Sequence, residues 1–461
     1  MYYGTLHLLA HKASNIFIAF HQAKKDFTRV ILIIYFVTKE ISYIMLCSSD
    51  NFENTEEYQI SKKLREKLEK KYCKGVTDHI DEQDLPQINK KDLNWAIAGV
   101  PLAFIFIFIA VIISVSIGIG ILAFLWYIQH NIGIHNAKLI KLVFLIAIGI
   151  VIMMCVSLKS VILAFLNRDI FEISSVLPEN DNQIKEDIEE VCSKLDMRAP
   201  DNILLSFNST FYVTEAPIVT QKGKYKGRSL VIGIAFLRYL NHDEFKSIIS
   251  HEMGHFTGKD TTFSVYVSPL YKSIRRIMGV LDQYRESIAK YVPMLPLICL
   301  LKLFYKWYAK LEAKISRQRE MRADYISTLL YGEQNFRSAL TKVVNFSTIF
   351  SNVYTEHYVA ILKEDKIFEN YFSFFASILN TKILNDENFI NDSSNDFSSH
   401  CSTKHRFVYI PKIKKNKEST PYKYEQYSKI EEELTEAMGR YIAMDIEVLQ
   451  KQIAVKTNLS N

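Results

Sequence analysis

The residues that point most directly to chemistry are two histidines and a glutamate in the motif His251-Glu252-Met253-Gly254-His255. Histidines four positions apart lie on one face of an α-helix, so both imidazole rings can reach a single metal ion. Zinc binds nitrogen and oxygen ligands, and a catalytic zinc keeps one position open for water. A glutamate between the histidines projects beside the ion and can take a proton from that water. The motif therefore predicts a zinc site with His251 and His255 as ligands and Glu252 as the general base.

A second pair of residues with the same spacing lies further along the chain, in the stretch SRQREMRAD at 316–324. Glu320 and Asp324 share one helix face. A zinc site of this type needs a third protein ligand, which Glu320 can supply. Asp324 can accept the other ring N–H of a ligating histidine and so fix its tautomer. The alternative interpretation is a solvated charged helix, and Glu312 is the next candidate for the third ligand.

Local patterns predict the elements that must position these residues. The sequence before His251 has a helical period, with Phe245, Ile248 and Ile249 as its buried face. Short apolar runs bounded by turn residues predict strands. The predicted strands are NILLSF at 202–207, FYVTEA at 211–216 and RSLVIGI at 228–234. Further helices are predicted at 181–197 and 431–454, and a loop rich in Asn, Asp and Ser at 385–403.

An apolar region in the first half of the chain predicts two membrane-spanning helices. Residues 93–128 contain no charged side chain, whereas a bilayer core needs only about 20 apolar residues in a helix. A second apolar run begins at Leu142 and continues past Lys159. Spans at about 96–128 and 142–166 would form a hairpin at 93–166 with both flanks on one side of the bilayer. The alternative is a pair of buried helices in a soluble protein.

The distribution of basic residues predicts the orientation of this hairpin. The segment 51–92, which contains a predicted amphipathic helix, is rich in Lys and Arg, whereas the connecting loop has only Lys138 and Lys141. The positive-inside rule therefore places both flanks in the cytoplasm, and six scattered cysteines agree with a reducing compartment. We expect an integral protein of the inner or plasma membrane. Residues 1–50 are an uncertain N-terminal arm, with Met45 as an alternative start.

Composition excludes several classes of protein. The 461 residues are 49% hydrophobic and 23% charged, which excludes general disorder. The net charge of +6 is small and spread along the chain, so no nucleic-acid partner is expected. There is no phosphate-binding P-loop and no serine nucleophile elbow.

HEMGH, SRQREMRAD and the preceding hairpin together resemble the HtpX-like and CAAX-prenyl-protease family of membrane zinc metallopeptidases, the M-forty-eight family of gluzincin type. The resemblance covers about residues 170–410. The family pattern S-R-x-x-E-x-x-A-D is matched at Ser316, Arg317, Glu320, Ala323 and Asp324.

The resemblance implies an α+β, mainly helical zincin-like metallopeptidase domain at 167–461, with a small β-sheet and one Zn²⁺ per chain, joined to the hairpin. It implies an endopeptidase that hydrolyses protein or peptide substrates, membrane proteins among them, at the lipid bilayer. A substrate would lie extended along an edge strand of the sheet. One alternative is a catalytically silent member of the fold that acts as a membrane scaffold or adaptor, and another is a metal-dependent hydrolase of non-peptide substrates.

The resemblance also implies three further site residues. SSHCSTKHRF resembles the family's S-H-P-x-x-x-x-R, which puts His400 and Arg406 near the site as oxyanion-stabilising groups. Cys401 stands where the family has proline, and an ordinary surface histidine is the alternative for His400. Asn208 lies roughly where gluzincins bind the substrate backbone, although turns also favour asparagine.

The chain departs from the family pattern between its two motifs. HtpX-like members usually have two more spanning helices there, whereas this chain has only the proline-interrupted stretch Tyr291–Ala309. That stretch predicts a membrane-hugging or core helix. The multi-span chamber of the prenyl proteases is absent, so prenylated substrates are not implied.

Overall fold

The computed structural model describes residues 56–132, 169–257, 274–275, 295–364, 370–379, 381–390, 402–415, 420–422 and 424–460. The chain divides into two compact units, Met1–Glu56 and Glu57–Asn461, and the architecture below is that of the second. The predicted N-terminal arm at 1–50, the second predicted span at 142–166 and His400 all lie outside the described residues.

The described part is mainly helical, as predicted. Its α-helices are α1 Glu56–Lys71, α2 Lys90–Ile132, α3 Asn182–Lys194, α4 His242–Gly254, α5 Leu295–Tyr331, α6 Glu333–Glu364, α7 Tyr371–Ile378, α8 Thr381–Leu384, α9 Thr403–Tyr409 and α10 Ser428–Ser460. Short 3-10 turns lie at Glu82–Asp84, Ile234–Arg238, Glu387–Phe389 and Glu425–Tyr427.

Two small sheets accompany the helices. The strands are β1 Ile170–Phe171, β2 Ser174–Val176, β3 Asn202–Ser206, β4 Phe211–Thr214, β5 Ile218–Val219, β6 Lys224–Tyr225 and β7 Ser229–Gly233. The larger sheet has the order β2-β3-β7-β4, and the smaller has the order β1-β5-β6. In the larger sheet β3 and β7 are parallel, whereas β4 is an antiparallel edge strand beside β7. The three predicted strands are confirmed as β3, β4 and β7.

Helix α4, which carries the histidine motif, begins at a capping box. The side chain of Asn241 accepts a hydrogen bond from the Glu244 backbone N–H, and the Glu244 side chain accepts one from the Asn241 N–H. This arrangement satisfies two backbone donors at the start of the helix. Phe245 and Ile249 are fully buried, so the predicted apolar face anchors the helix in the core.

Helix α6 is fixed against α4 by charge and by aromatic packing. The ammonium of Lys342 donates to both carboxylate oxygens of Glu244 at 2.8 Å. Further along α6, the Phe350 ring lies 5.7 Å from Phe207, which follows β3, and 5.2 Å from Tyr371 in α7. Edge-to-face aromatic pairs of this kind add to the free energy gained from burial, so α6 holds the sheet and α4 together.

Helix α5 contains two stretches that were not predicted to form one continuous helix. The apolar stretch predicted at Tyr291–Ala309 enters α5 at Leu295, and the same helix continues through Glu320 and Asp324 to Tyr331. Pro296 is tolerated because it lies in the first turn, where the backbone N–H has no partner within the helix. The proline therefore does not interrupt the helix.

The first half of α5 packs against α2. Phe304 and Tyr308 are buried with Ala96 and Ala103 of α2 in one apolar cluster. The Tyr308 hydroxyl donates to the Ala96 carbonyl at 3.3 Å. A Cβ at Gly99 would clash with the Tyr308 ring, so glycine is needed for this close approach. These contacts support the core interpretation of the segment.

The first predicted membrane span, 96–128, lies within α2, which is helical throughout. In the part of the chain that the structure describes, no helix has both the length and the apolar character needed to cross a membrane. The hairpin at 93–166 therefore stays a prediction.

Candidate metal centre

The structure brings His251 of α4 and His255, which caps the C-terminal end of α4, together with Glu320 of α5. The Nε2 atom of His251 lies 3.4 Å from Oε2 of Glu320, and Nε2 of His255 lies 3.6 Å from Oε1. One ligand atom from each residue lies within 4.8 Å of the other two. A tetrahedral zinc with bonds of about 2.0–2.2 Å separates its ligand atoms by roughly 3.3–3.6 Å. The two nitrogen–oxygen distances fall in this range but involve different oxygens of Glu320, and the three side chains together could hold a metal ion such as zinc.

Small residues allow α4 and α5 to approach closely at this point. A Cβ on Gly254 would lie 3.1 Å from Cδ1 of Ile326 and 3.5 Å from Cα of Ala323. One to two turns away, the hydroxyls of Ser247 and Ser327 are 2.6 Å apart. The glycine of the histidine motif and the alanine of the S-R-x-x-E-x-x-A-D pattern therefore bring the ligands of the two helices within reach of one ion.

Asp324 is fully buried and binds groups from two other helices. Its Oδ1 lies 2.9 Å from Nδ1 of His251, although the angle departs from that of a regular hydrogen bond. Its Oδ2 accepts hydrogen bonds from Nε of Arg406 at 2.9 Å and from the Tyr409 hydroxyl at 2.6 Å. Because Asp324 faces Nδ1, the Nε2 atom of His251 is directed to the metal position, as outer-shell partners of zinc sites do.

Neighbouring charges set the protonation states of Asp324 and His251. Burial alone would raise the pKa of Asp324, but the Arg406 guanidinium and His251 hold it below its ordinary value. Burial disfavours protonation of His251, yet the Asp324 and Glu320 carboxylates raise its pKa to about 10 in the absence of an ion. A metal cation must displace that proton, so metal binding at this site releases protons.

The predicted general base, Glu252, is half-buried on α4. Burial raises its pKa above the ordinary glutamate value, while the positive charges of His251 and His255 act in the opposite direction. A raised pKa brings a carboxylate closer to the working range of a general base at neutral pH.

The structure places Arg406 on α9, with its guanidinium bound to Asp324 and its Nη2 atom 4.0 Å from Oε2 of Glu320. Its predicted role at the oxyanion stays a prediction. Tyr409 is not among the predicted site residues, and its only local signal is its position three residues after Arg406 on the same helix face. Glu312, the alternative third ligand, accepts a hydrogen bond from Ser316 and is not part of the metal-binding group found among the described residues.

Asn208 lies in the turn before the edge strand β4. Its side-chain amide donates to Oε1 of Glu172 at 2.7 Å, and it lines a cleft of about 750 Å³ that runs along β4. Its role in binding a substrate backbone stays a prediction.

Replacing Asp324 with asparagine is expected to weaken zinc binding by about 10–100-fold, the usual effect of losing an outer-shell partner. Asparagine keeps the shape but loses the charge that pairs with Arg406 and orients His251. Titration of the metal-free chain with zinc against a competing chelator measures the effect. Asp78→Ala is the control, because that side chain is 91% exposed. Unchanged zinc affinity in Asp324→Asn would show that Asp324 does not support the ligand.

Comparison with known proteins supports a peptidase site. The model of peptidase family M48 matches residues 178–414. The chain is 24% identical over 221 residues to a protein named Protease HtpX homolog from Helicobacter pylori (strain Shi470), an alignment that covers 44% of this chain and 66% of that relative. The chain thus spans slightly less than two thirds of this relative's length. No solved structure matches the chain. Because the family match covers just over half of the 461 residues and contains both metal-binding motifs, the chain belongs to peptidase family M48.

Proposed function

We propose that the chain is a zinc-dependent endopeptidase that hydrolyses peptide bonds of protein substrates. The observation that carries this proposal is the convergence of His251, His255 and Glu320 from two helices, with ligand atoms within 4.8 Å of one another. Membership of a peptidase family supports the reaction class. The alternative, a catalytically silent scaffold, is not favoured because the metal ligands and the glutamate base are all present.

The residues of the chain have distinct parts in this reaction. When bound, zinc would supply a Lewis acid that polarises the scissile carbonyl and acidifies water. Glu252 takes a proton from the attacking water and passes it to the leaving amine. Asp324 orients His251, while Arg406 and Tyr409 hold Asp324 in place.

The edge strand β4 is the proposed docking site for the substrate backbone. Among the described residues, strand β4 pairs only with β7, and an edge strand of this kind can add an extended peptide on its other side. Phe211 of β4 packs 6.3 Å from Phe245 of α4, which puts the strand beside the helix that contains His251 and ends at His255. Asn208, three residues before the start of β4, is proposed to contact the same backbone.

Cleavage of an unfolded protein by the purified full-length chain tests the proposed function. We expect reduced, alkylated casein to be cut, a chelator to stop cleavage, and added zinc to restore it. A Glu252→Gln chain purified in parallel controls for contaminating peptidases. Zinc binding without cleavage would favour the silent scaffold, and cleavage that survives both the chelator and the substitution would contradict the assignment.

We further propose that the hairpin at 93–166 anchors the chain in the membrane with the peptidase domain in the cytoplasm. The supporting observations are the uncharged sequence at 93–128 and large exposed side chains on α2, with Trp95 59%, Phe108 66% and Trp126 67% exposed. In sealed inside-out vesicles, a membrane-impermeant thiol reagent is expected to label Cys73, which precedes the hairpin. An antibody to a tag placed after residue 461 should bind the same vesicles. Recovery of the chain in the soluble fraction, or the two markers on opposite faces, would contradict the hairpin.

A further inference from the structure

A cleft separate from the metal ligands lies between the edge strand β4 and helix α6. Its volume is about 750 Å³, which is within the range of pockets that bind small molecules or large side chains. One wall is formed by residues of the 208–214 stretch, and the other by Phe350, Ser351 and Tyr354 of α6. None of the metal-centre residues lines it. Glu172, which lies between β1 and β2, is its acidic residue.

Glu172 is only 6% exposed and is bound by neutral donors. The Ser206 hydroxyl and the Asn208 amide donate to its Oε1, and the Tyr212 hydroxyl donates to Oε2 at 3.1 Å. Among the residues that the structure describes, no lysine or arginine forms an ion pair with it. A buried carboxylate without a cationic partner is costly in free energy. A cation that entered the cleft would offset part of that cost.

The carboxylate has room for one more donor. A carboxylate offers about four acceptor positions, and three donors already occupy part of this capacity, two on Oε1 and one on Oε2. Burial and the Glu172 charge raise the pKa of Tyr212, so its hydroxyl keeps its proton and remains a donor. Among the described residues, Oε2 accepts a side-chain hydrogen bond only from Tyr212, so an N–H donor that reached Glu172 from the cleft would bind at Oε2.

The walls of the cleft suit the rest of a basic side chain. Lysine and arginine have an apolar stem and a charged end, and the rings of Phe350 and Tyr354 line the cleft on the α6 side. Aromatic faces also attract cations directly. A lysine or arginine side chain would in addition pack its aliphatic stem against these rings, which an inorganic cation cannot do.

The position of the cleft connects it to the proposed substrate path. A peptide that pairs with β4 directs every second side chain to the same side of the sheet. Because residues of β4 line the cleft, one of those side chains would enter it. We propose that this cleft is a specificity subsite for a lysine or arginine side chain of the peptide substrate, with Glu172 as its charge partner. The inference rests on the proposed peptidase function and names the class of substrate.

Binding of labelled peptides to the zinc-loaded, full-length Glu252→Gln chain tests the subsite without cleavage. A single lysine is moved through each position of an otherwise neutral peptide, and each lysine peptide is compared with its norleucine counterpart. Arginine peptides are compared with citrulline. We expect one position at which the charged residue binds about tenfold or more tightly than its neutral counterpart, because charge-assisted hydrogen bonds are the strong ones. Glu172→Gln should remove that difference.

A charge series on α6 avoids disturbing the hydrogen bonds of Glu172. Ser351 is exposed and lines the cleft, so Ser351→Lys should reduce the lysine preference and Ser351→Glu should increase it. Asn352→Lys is the matched control, because that neighbouring residue is exposed but does not line the cleft.

The outcomes separate the two proposals. If peptides bind and the wild-type chain cleaves them with no preference for a basic residue at any position, Glu172 is only a structural hydrogen-bond acceptor and the subsite is wrong. If the lysine preference survives Glu172→Gln and is unchanged by both Ser351→Lys and Ser351→Glu, the basic side chain binds elsewhere. If the wild-type chain cleaves no peptide under any condition, the proposed peptidase function itself fails.

Discussion

Replacing Glu252 with glutamine is expected to lower peptidase activity by about 10²–10⁴-fold while zinc content stays unchanged. The amide cannot accept a proton from water, so the general-base step is lost. Zinc should remain, because the metal-binding group consists of His251, His255 and Glu320 and does not include Glu252. Metal analysis and steady-state cleavage of the same preparation measure both quantities.

The control for this experiment is Glu186→Gln, which makes the same chemical change at an exposed position on α3. It should alter neither zinc content nor cleavage. A Glu252→Gln chain that retains most of its activity would show that another group takes the proton. One that loses its zinc would place Glu252 among the ligands.

Replacing Glu320 with alanine is expected to remove both zinc and activity. Its carboxylate oxygens lie 3.4 and 3.6 Å from the Nε2 atoms of the two histidines, and no other carboxylate belongs to the described metal-binding group. The loss of zinc affinity should exceed the roughly 10–100-fold effect expected for the outer-shell residue Asp324. A competitive zinc titration and a cleavage assay measure the two losses.

Glu312→Ala is the matched comparison, because Glu312 is also buried on α5, two turns before Glu320. We expect that variant to bind zinc as the unchanged chain does. If Glu312→Ala loses zinc and Glu320→Ala keeps it, the third ligand is Glu312 and the geometry described above is wrong.

Short-range patterns were sufficient to predict much of the candidate site. The spacing of four residues in each motif places both members of a pair on one helix face, and β3, β4 and β7 follow from short apolar runs. These predictions depend on residues that are close in sequence. Helix and strand periodicity determines which of these neighbouring residues share a face.

Long-range contacts could not be predicted in the same way. The bond of Arg406 to Asp324 joins residues 82 positions apart, and that of Tyr409 joins residues 85 positions apart. The motif around Arg406 predicted that this residue lies near the site, but it did not identify Asp324 as the partner of either side chain. The continuity of α5 was also missed, because prolines in an apolar stretch suggest an interruption, whereas Pro296 lies in the first turn.

The subsite at Glu172 depends on sheet topology. In sequence, Glu172 is an isolated acidic residue between two short strands, far from Asn208 and Tyr212. The pairing of β2 with β3, β3 with β7 and β7 with β4 brings its three hydrogen-bond donors together. That β4 is an edge strand is likewise a property of the sheet order and not of the sequence of β4.

Anomalous diffraction at the zinc absorption edge, from crystals of the zinc-loaded Glu252→Gln chain, tests the central claim most directly. The predicted result is one zinc peak at about 2.0–2.2 Å from Nε2 of His251, Nε2 of His255 and a carboxylate oxygen of Glu320, with a fourth position open to water. Zinc bound by other residues, or no zinc at these three side chains, would contradict the assignment of this site as the catalytic centre of a zinc peptidase.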